Sequence, residues 1–513
     1  MRPHIQQLAN DLKARGIRYA FGVTGGGASL ELITHLMSEG IEYIPVSHEA
    51  AAPIMAGATA VDGTLRAVAI SIKGPGFINM MPGITLNHFE QRPSLSISEA
   101  YDLQQNISKV HKKIDQKAIV SPVTKAYDIL GDHTGLQALV QCAQAGVPGP
   151  VHLDISNDRV TGLQKSNQDD DGLDAENKSY TERIKTHKKI AIILGSVARS
   201  LTGVDWSSIS VPVCTTAAAK GVIDETGDFV GGVITGEVKD LSPESTILSQ
   251  ADCIVAVGLR QSEVVKPMSF NKPTFIIDTV MGCHEGFGAD EFLVHDLEQA
   301  ARNIKEVVTE SWGEEVCNQV RKTIEEELLG DVWLPGHVFE TLNEGLSEAT
   351  LVLDTGLFCT IGETIFKAAK PEYFIGSSQG RFMGVAIPTA IGHAIHAANK
   401  TICVIGDGGV MPYVSEIAIA VDQNLPIMFV MMSDGGYGAI GMGAEEIGAP
   451  KEIYEHKKRD VAGIVGAMGC KTSTAENLTD FQNIVGSWAG ISPIFITCTF
   501  DKEQYRSMTK NIR

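Results

Sequence analysis

Residues 406–438 place two acidic, glycine-flanked turns about one helix length apart, and this spacing constrains the fold more than any other feature. TICVI before the first turn is typical of a β-strand and GDGG of a sharp turn. VMPYVSEIAIAVDQN has helical spacing, and PIMFVMM is typical of a buried strand. A right-handed strand–helix–strand crossover brings both turns to the carboxyl edge of one parallel sheet, where open α/β folds bind ligands. We therefore expect Asp407 and Asp434 to face a shared point.

Further glycine-rich turns occur in the same part of the chain. TGLF follows the strand LVLD, and GSSQGRFMG precedes an alanine-rich helix. Such turns offer backbone N–H groups and a positive helix end, which suit a diphosphate. The sequence has neither the P-loop lysine pattern nor a GxGxxG at a first strand, so ATP and dinucleotides are disfavoured. Mg²⁺ prefers carboxylate, carbonyl, water and phosphate oxygens, so Asp407, Asp434 and the carbonyl of Gly436 are predicted to hold Mg²⁺.

Length and charge narrow the class of protein. A chain of 513 residues is too long for one core, and its apolar runs are shorter than the ~18–20 residues that span a membrane. The net charge of −20 disfavours a general nucleic-acid binder. The start lacks the apolar stretch of a signal peptide, and nine scattered cysteines without a CxxC pair indicate a reducing compartment. We expect a cytoplasmic protein with no nucleic-acid or membrane partner.

The alternation of strand-like and helix-like segments predicts three α/β domains with doubly wound parallel sheets. The predicted strands are YAFGV, IEYIPV, RAVAISI, PSLSISE and GPVHLDI in the first domain; IAIILG, VPVCTT, DCIVAVG and PTFIIDT in the second; and TLVLDTG, TICVI and PIMFVMM in the third. The predicted boundaries are a first domain at 1–160, a polar linker at 161–188, a middle domain at 189–330 and a third domain at 331–513.

Several motifs, taken in order along the chain, point to one family. An acidic residue follows the GDG aspartate by 27 positions, with a glycine two further on. FGVTGGG, VSHEAAAPIMAG, ISIKGPGFINMMPGI and SQGRFMGVAIPTAIG occur in the remaining sequence. The combination resembles the thiamin-diphosphate-dependent enzymes, in the three-domain layout of acetohydroxyacid synthases and 2-oxoacid decarboxylases. The resemblance covers essentially the whole chain.

This resemblance implies roles for individual residues. Glu49 is expected to activate the aminopyrimidine ring of thiamin diphosphate, and Met383 to bend the cofactor. Mg²⁺ is expected on the three ligands named above. The first domain of one subunit is expected to face the third domain of another, giving a homodimer or homotetramer with active sites at subunit interfaces. The expected cofactor-binding residues are Thr24, Gly25, Glu49, Gly74, Asn79, Gly356, Leu357, Met383, Gly384, Gly408, Gly409, Tyr437 and Gly438.

The chain departs from the family pattern in ways that bear on the reaction. Asp434 stands where an asparagine is usual, and Thr24 where a proline is usual. There is no adjacent His-His pair near residues 100–115, and the position of the catalytic glutamate of pyruvate-decarboxylase types falls on Ile440. Simple decarboxylation to an aldehyde therefore lacks two of its usual proton donors, which favours carboligation or acyl transfer.

Basic residues near the predicted site suggest an acidic substrate. Lys73 precedes the GPG turn, His88 lies in NHFEQRP, and Lys112 lies in HKKID. For the HKK run, a solvated charged surface is the more economical interpretation. The alternative is that Lys73 or one residue of this run pairs with a carboxylate of the substrate.

The predicted function is a thiamin-diphosphate- and Mg²⁺-dependent enzyme that decarboxylates a 2-oxo acid and transfers the acyl-anion unit to a carbonyl acceptor, like acetolactate synthase. Two alternatives remain: a 2-oxoacid decarboxylase that releases an aldehyde, and a catalytically degenerate binding protein. FAD in the middle domain is possible, but no residue indicates it.

Overall fold

Three parallel sheets follow one another along the chain, as predicted, and each of them has six strands. The computed structural model describes residues 2–101, 111–130, 133–156, 179–282, 284–397, 399–455, 457 and 459–508. Most of the predicted linker lies outside the described residues, and the predicted domain boundaries stay predictions.

The first sheet has the strand order β2-β1-β3-β4-β6-β5. Helix α1 shows how its helices pack, because Ile5, Leu8, Ala9 and Leu12 recur at helical spacing and are all buried. The strands are β1 Tyr19–Gly22, β2 Glu42–Pro45, β3 Ala67–Ser71, β4 Ser94–Ala100, β5 Ala126–Ile129 and β6 Pro150–Ser156. The helices are α1 Pro3–Ala14, α2 Ala28–Ser38, α3 Ala51–Ala58, α4 Pro75–Phe89, α5 Gln116–Val120 and α6 His133–Gln144.

The second sheet has the order β12-β11-β10-β7-β8-β9. Its central strands β7, β10 and β11 are buried along their whole length, as continuous apolar runs predict for a sheet covered on both faces. The strands are β7 Ile190–Leu194, β8 Val213–Thr215, β9 Val230–Val233, β10 Cys253–Val257, β11 Thr274–Asp278 and β12 Asp290–Leu293. The helices are α7 Ser179–Ile184, α8 Pro243–Thr246, α9 Leu297–Val307 and α10 Glu314–Leu329.

The third sheet has the order β14-β13-β15-β16-β18-β17. The strands are β13 Thr350–Leu353, β14 Phe374–Gly376, β15 Thr401–Gly406, β16 Ile427–Ser433, β17 Lys471–Ala475 and β18 Ile494–Thr499. The helices are α11 Pro335–Gly345, α12 Phe358–Ile365, α13 Ala386–His396, α14 Asp407–Val410, α15 Ile417–Asp422, α16 Gly438–Glu446, α17 Val461–Ala467, α18 Leu478–Ser487 and α19 Lys502–Ser507.

The segment after GDGG differs from the prediction. GDGG is the start of the short helix α14, not an open turn, and a 3₁₀ helix at Met411–Glu416 precedes α15. Tyr413 has non-helical angles (φ −130°, ψ 20°) directly after Pro412. Since proline has no N–H to donate, the helix predicted from the apolar spacing is interrupted there.

The first and third sheets share one buried core. Helix α3 packs against α13, and Ile54 and Met55 belong to the same core as Ile387 and Ile391. A Cβ on Gly392 would lie 2.4 Å from the carbonyl oxygen of Met55, so the close approach of the two helices requires glycine. The packing fixes the segment before α3, which carries Glu49, relative to the third sheet.

Candidate active site

Asp407 and Asp434 follow two neighbouring parallel strands of the third sheet. Gly406 at the end of β15 pairs with Met432 near the end of β16, so both turns lie at the same edge. A carboxylate oxygen of Asp407 accepts hydrogen bonds from the Ser433 hydroxyl (3.2 Å) and from the backbone N–H of Gly435 (2.9 Å). The structure therefore brings the two predicted metal-ligand turns together.

The two carboxylates form an electrostatically unfavourable pair unless a cation joins them. Burial is the main cause that raises the pKa of Asp434 to about 6, and the negative charge of Asp407 raises it further. The described residues contain no cluster of three or more His, Cys, Asp or Glu side chains suited to a metal. Two carboxylates and the nearby backbone fit Mg²⁺ if phosphate and water complete its shell.

Asp354 holds the glycine turns in place, and no sequence motif predicts this role. Its carboxylate, at the end of β13, accepts the backbone N–H of Gly384 through both oxygens, at 2.9 and 2.8 Å. A Cβ on Gly409 would lie 2.4 Å from the same carboxylate. Burial raises the pKa of Asp354 to about 7, although backbone N–H groups lower it in part. Asp354 thus joins the turn before α13 to the GDGG segment.

The remaining predicted cofactor residues of the third sheet lie around these turns. Gly384 has a φ of +88°, which favours glycine, and the preceding Met383 is 43% exposed. Leu357 is buried beside Gly356, whose N–H faces the Cys359 thiol. In the turn after β16, Tyr437 is partly exposed, and its backbone N–H donates to the carbonyl of Tyr454 at 2.8 Å. A Cβ on Gly438 would lie 2.2 Å from the Asp434 carboxylate.

Glu49 lies at the edge of the first sheet, after β2. The side-chain amide of Asn79, on α4, donates to its carboxylate at 3.0 Å. A Cβ on Gly76, in the first turn of α4, would lie 3.4 Å from the other carboxylate oxygen, so the start of α4 packs close to Glu49. Two residues predicted to contact the cofactor, Glu49 and Asn79, are therefore in direct contact.

The two glycine turns of the first sheet are closely packed. A Cβ on Gly25 would lie 1.9 Å from the Ile72 side chain, and one on Gly74 would lie 2.5 Å from the carbonyl of Lys112. The N–H of Gly74 donates to the side chain of the buried Gln116. The neighbouring hydroxyl of Thr24 is 3.1 Å from that of Tyr43.

The three basic candidates have different surroundings. Lys73 Nζ is 2.7 Å from the buried carboxylate of Glu99 and 4.7 Å from the Tyr101 ring centroid. The side chain of Lys112 is exposed, and its φ of +65° is unusual for a non-glycine residue. His88 is exposed and lies edge-on to Phe89. The charge of Lys73 already has an internal partner, and a substrate role for each of the three stays a prediction.

Two buried or half-buried glutamates connect the first-sheet and third-sheet edges, and no sequence motif predicts either of them. Glu416 accepts the backbone N–H groups of Ser47 and His48. Glu90, after α4, accepts the Ser377 hydroxyl and the backbone N–H groups of residues 378–380, at 2.9 to 3.2 Å. Only motifs of local spacing were read from the sequence, and these contacts join residues more than 280 positions apart.

Comparisons with known proteins agree with this geometry. Residues 5–119 match the N-terminal TPP binding domain of thiamine pyrophosphate enzymes, and residues 354–497 match their C-terminal TPP binding domain. Together the matches span about half of the chain.

Similar curated proteins carry acetolactate synthase names. The chain is 23% identical to a probable acetolactate synthase large subunit of Methanococcus aeolicus (85% of this chain, 81% of the relative). It is 25% identical to a catabolic acetolactate synthase of Raoultella terrigena (85% and 83%). It is 23% identical to an acetolactate synthase large subunit of Haemophilus influenzae (92% and 90%).

Within the part of the chain that the structure describes, no helix has both the length and the apolar character needed to cross a bilayer.

Proposed function

We propose that this chain, which belongs to the thiamine pyrophosphate enzyme family, decarboxylates a 2-oxo acid and passes the remaining acyl unit to a carbonyl acceptor, as an acetolactate-synthase-like carboligase. The observation that carries the proposal is the meeting of Asp407 and Asp434 at adjacent strand ends. This pair suits a metal-bound diphosphate, and the family matches of both terminal regions support thiamin diphosphate as its source.

When bound, thiamin diphosphate would supply a carbon nucleophile and would take up the electron pair of the C–C bond that breaks as CO₂ leaves. Asp407, Asp434 and the carbonyl of Gly436 would hold Mg²⁺, and Gly408 and Gly409 of the GDGG segment would present backbone N–H groups to the diphosphate. Glu49, oriented by Asn79, would hold a proton beside the aminopyrimidine ring.

Transfer to an acceptor is favoured over release of an aldehyde. Ile440, on the first turn of α16, is 64% exposed at the place where decarboxylases of the family have a glutamate. Because isoleucine has no ionisable proton, this side chain could not protonate the acyl carbon, which would leave the acyl unit available to a second carbonyl compound. The donor is a small 2-oxo acid and the acceptor a second carbonyl compound.

We further propose a homodimer or homotetramer with active sites at subunit interfaces. Large apolar side chains are exposed around both site edges: Phe89, Met383, Tyr437 and Ile440. A neighbouring first domain placed over the third-sheet edge would cover them. The setting is cytoplasmic, without nucleic-acid or membrane partners, and FAD stays a possibility that visible absorbance of the purified protein decides.

Proton NMR of reaction mixtures tests the proposal. The protein is incubated with thiamin diphosphate, Mg²⁺ and 2-oxo acids headed by pyruvate, each with and without an aldehyde or second oxo acid. A 2-hydroxyketone or acetolactate-type product is expected. Free aldehyde alone would make the chain a decarboxylase, and cofactor binding without any CO₂ release would make it a degenerate binding protein.

A further inference from the structure

A cavity of about 460 Å³ lies beside the predicted metal site, at the carboxyl ends of β16, β17 and β18. Among the described residues predicted to bind cofactor or Mg²⁺, Asp407 is the one that lines it. None of the glycines assigned to the diphosphate does. Its lining residues are Asp407, Met411, Met431, Ser433, Lys457, Arg459, Asp460, Val461, Ala462, Thr474, Glu476, Thr497 and Thr499.

The floor of the cavity is a group of hydroxyls on one face of the sheet. In the strand register Ser433 pairs with Thr499, and Thr474 pairs with Thr497. Thr497 is only 9% exposed, and its hydroxyl has no hydrogen-bond partner within the described part of the chain. Since buried polar groups are nearly always hydrogen-bonded, this hydroxyl indicates a polar occupant of the cavity.

The mouth of the cavity carries two cations. Lys457 and Arg459 are exposed, and no ion pair of either is found among the described residues. Two acids that line the cavity already accept hydrogen bonds within the protein. The Asp460 carboxylate accepts the N–H of Gly463 (2.8 Å) and caps α17, and the Asp407 carboxylate accepts hydrogen bonds from Ser433 and Gly435. Glu476 is the remaining acid among the lining residues.

We propose that this cavity binds a small organic acid, a ligand site separate from the cofactor site. Arg459 and Lys457 take the carboxylate of the ligand, since charge-assisted hydrogen bonds to a carboxylate are strong. The Thr497 hydroxyl forms a hydrogen bond with a polar group at the other end of the ligand. Glu476 favours a ligand that also has a donor, a hydroxyl or an ammonium group. The class is therefore 2-hydroxy or 2-amino acids, and their binding does not depend on turnover.

Saturation-transfer NMR and calorimetry on the full-length holoenzyme test the proposal, with lactate, serine and inorganic phosphate as probes. We expect lactate or serine to bind more tightly than phosphate, and binding to weaken as salt is raised. Thr497→Val removes the hydroxyl without changing the side-chain shape and should weaken binding about fivefold. Arg459→Gln or Lys457→Gln should weaken it about tenfold; both residues are exposed, so folding is not at risk.

Two control variants test whether a loss of binding is specific to the residues of the cavity. Thr401→Val removes another buried hydroxyl without a hydrogen-bond partner, at the opposite end of the same sheet, and Lys471→Gln removes an exposed cation at the start of β17. Both should bind the probes within about twofold of the wild type. The proposal is overturned if no organic acid binds, if phosphate alone binds, or if the Thr497 and Arg459 variants bind as the controls do. A cavity filled by water or by a neighbouring subunit would give the first of these results.

Discussion

The carboxylate of Glu416 accepts the backbone N–H of His48 at 3.1 Å, so a residue of the third-sheet region holds the segment that ends in Glu49. Ser47 donates to the same carboxylate. Glu416 is fully buried, and burial is the main cause that raises its pKa. The segment that ends in the predicted catalytic glutamate is thus held by a side chain 368 positions from His48 in sequence.

Glu416→Gln is expected to lower turnover at least tenfold while the Kd for thiamin diphosphate changes less than about threefold. The amide keeps the size of the side chain but weakens hydrogen bonds to an ionised group worth about 1.5–3 kcal/mol. Steady-state kinetics and calorimetric cofactor titration separate the two quantities. The exposed Glu344→Gln is the matched control. Full activity of the Glu416 variant would refute the positioning role.

Glu49→Gln is expected to lower turnover about 10²- to 10⁴-fold, the usual contribution of a positioned acid or base. The cofactor should still bind, because the diphosphate and metal turns are unchanged. Asn79→Ala should lower turnover less, since it removes the hydrogen bond that orients Glu49 but leaves the carboxyl group. Turnover of the Glu49 variant at the wild-type rate would exclude this residue from the chemistry.

The metal assignment predicts unequal effects for the two aspartates. Asp407→Asn should raise the Mg²⁺ concentration for half-maximal activity about tenfold or more. Asp434→Asn should raise it less, because it also removes the repulsion between the two carboxylates. Activity titrations against Mg²⁺ measure both, with the exposed Asp422→Asn as control. An unchanged Mg²⁺ requirement in both variants would show that the ion binds elsewhere.

Glu90→Gln is expected to weaken thiamin diphosphate binding about five- to twentyfold. The carboxylate collects four hydrogen bonds from residues 377–380, and this loop leads to Met383 and Gly384. An amide cannot accept all of them. Calorimetry with saturating Mg²⁺ measures the Kd. A variant that melts earlier but binds the cofactor normally would make Glu90 a structural residue only.

Asp354 predicts a pH dependence of stability. Because burial raises its pKa from 3.8 to about 7, the folded state favours the protonated form. The contribution of Asp354 to the free energy of unfolding is complete below the pKa that this residue has in the unfolded chain. The contribution is lost as pH rises through about 7, at up to about 1.4 kcal/mol per pH unit. The apparent melting temperature should fall between pH 5 and 7 more steeply in the wild type than in Asp354→Asn. Asp422→Asn should follow the wild type, and parallel curves for all three proteins would contradict the assignment.

The sequence alone predicted the three parallel sheets and the meeting of the two acidic turns at one sheet edge. Apolar runs such as PIMFVMM specify buried strands, and the fixed hand of the crossover brings the ends of β15 and β16 to one edge. It did not predict the strands β5, β9, β12, β14, β17 and β18, of which all but β18 are short or polar. KTSTA in β17 has no apolar run to identify it. The site residues taken from the resemblance, with their roles, stay predictions that the variants above test.

Only the tertiary structure decided which side chains hold the site in place. Asp354, Glu90 and Glu416 each lie in unremarkable local sequence, and their function as acceptors appears once distant backbone N–H groups converge on them. Local sequence patterns report hydrophobic spacing and turn formation, which act over a few residues. A carboxylate acceptor for a loop 280 or more positions away depends on how the first and third sheets pack, and no local pattern encodes that packing.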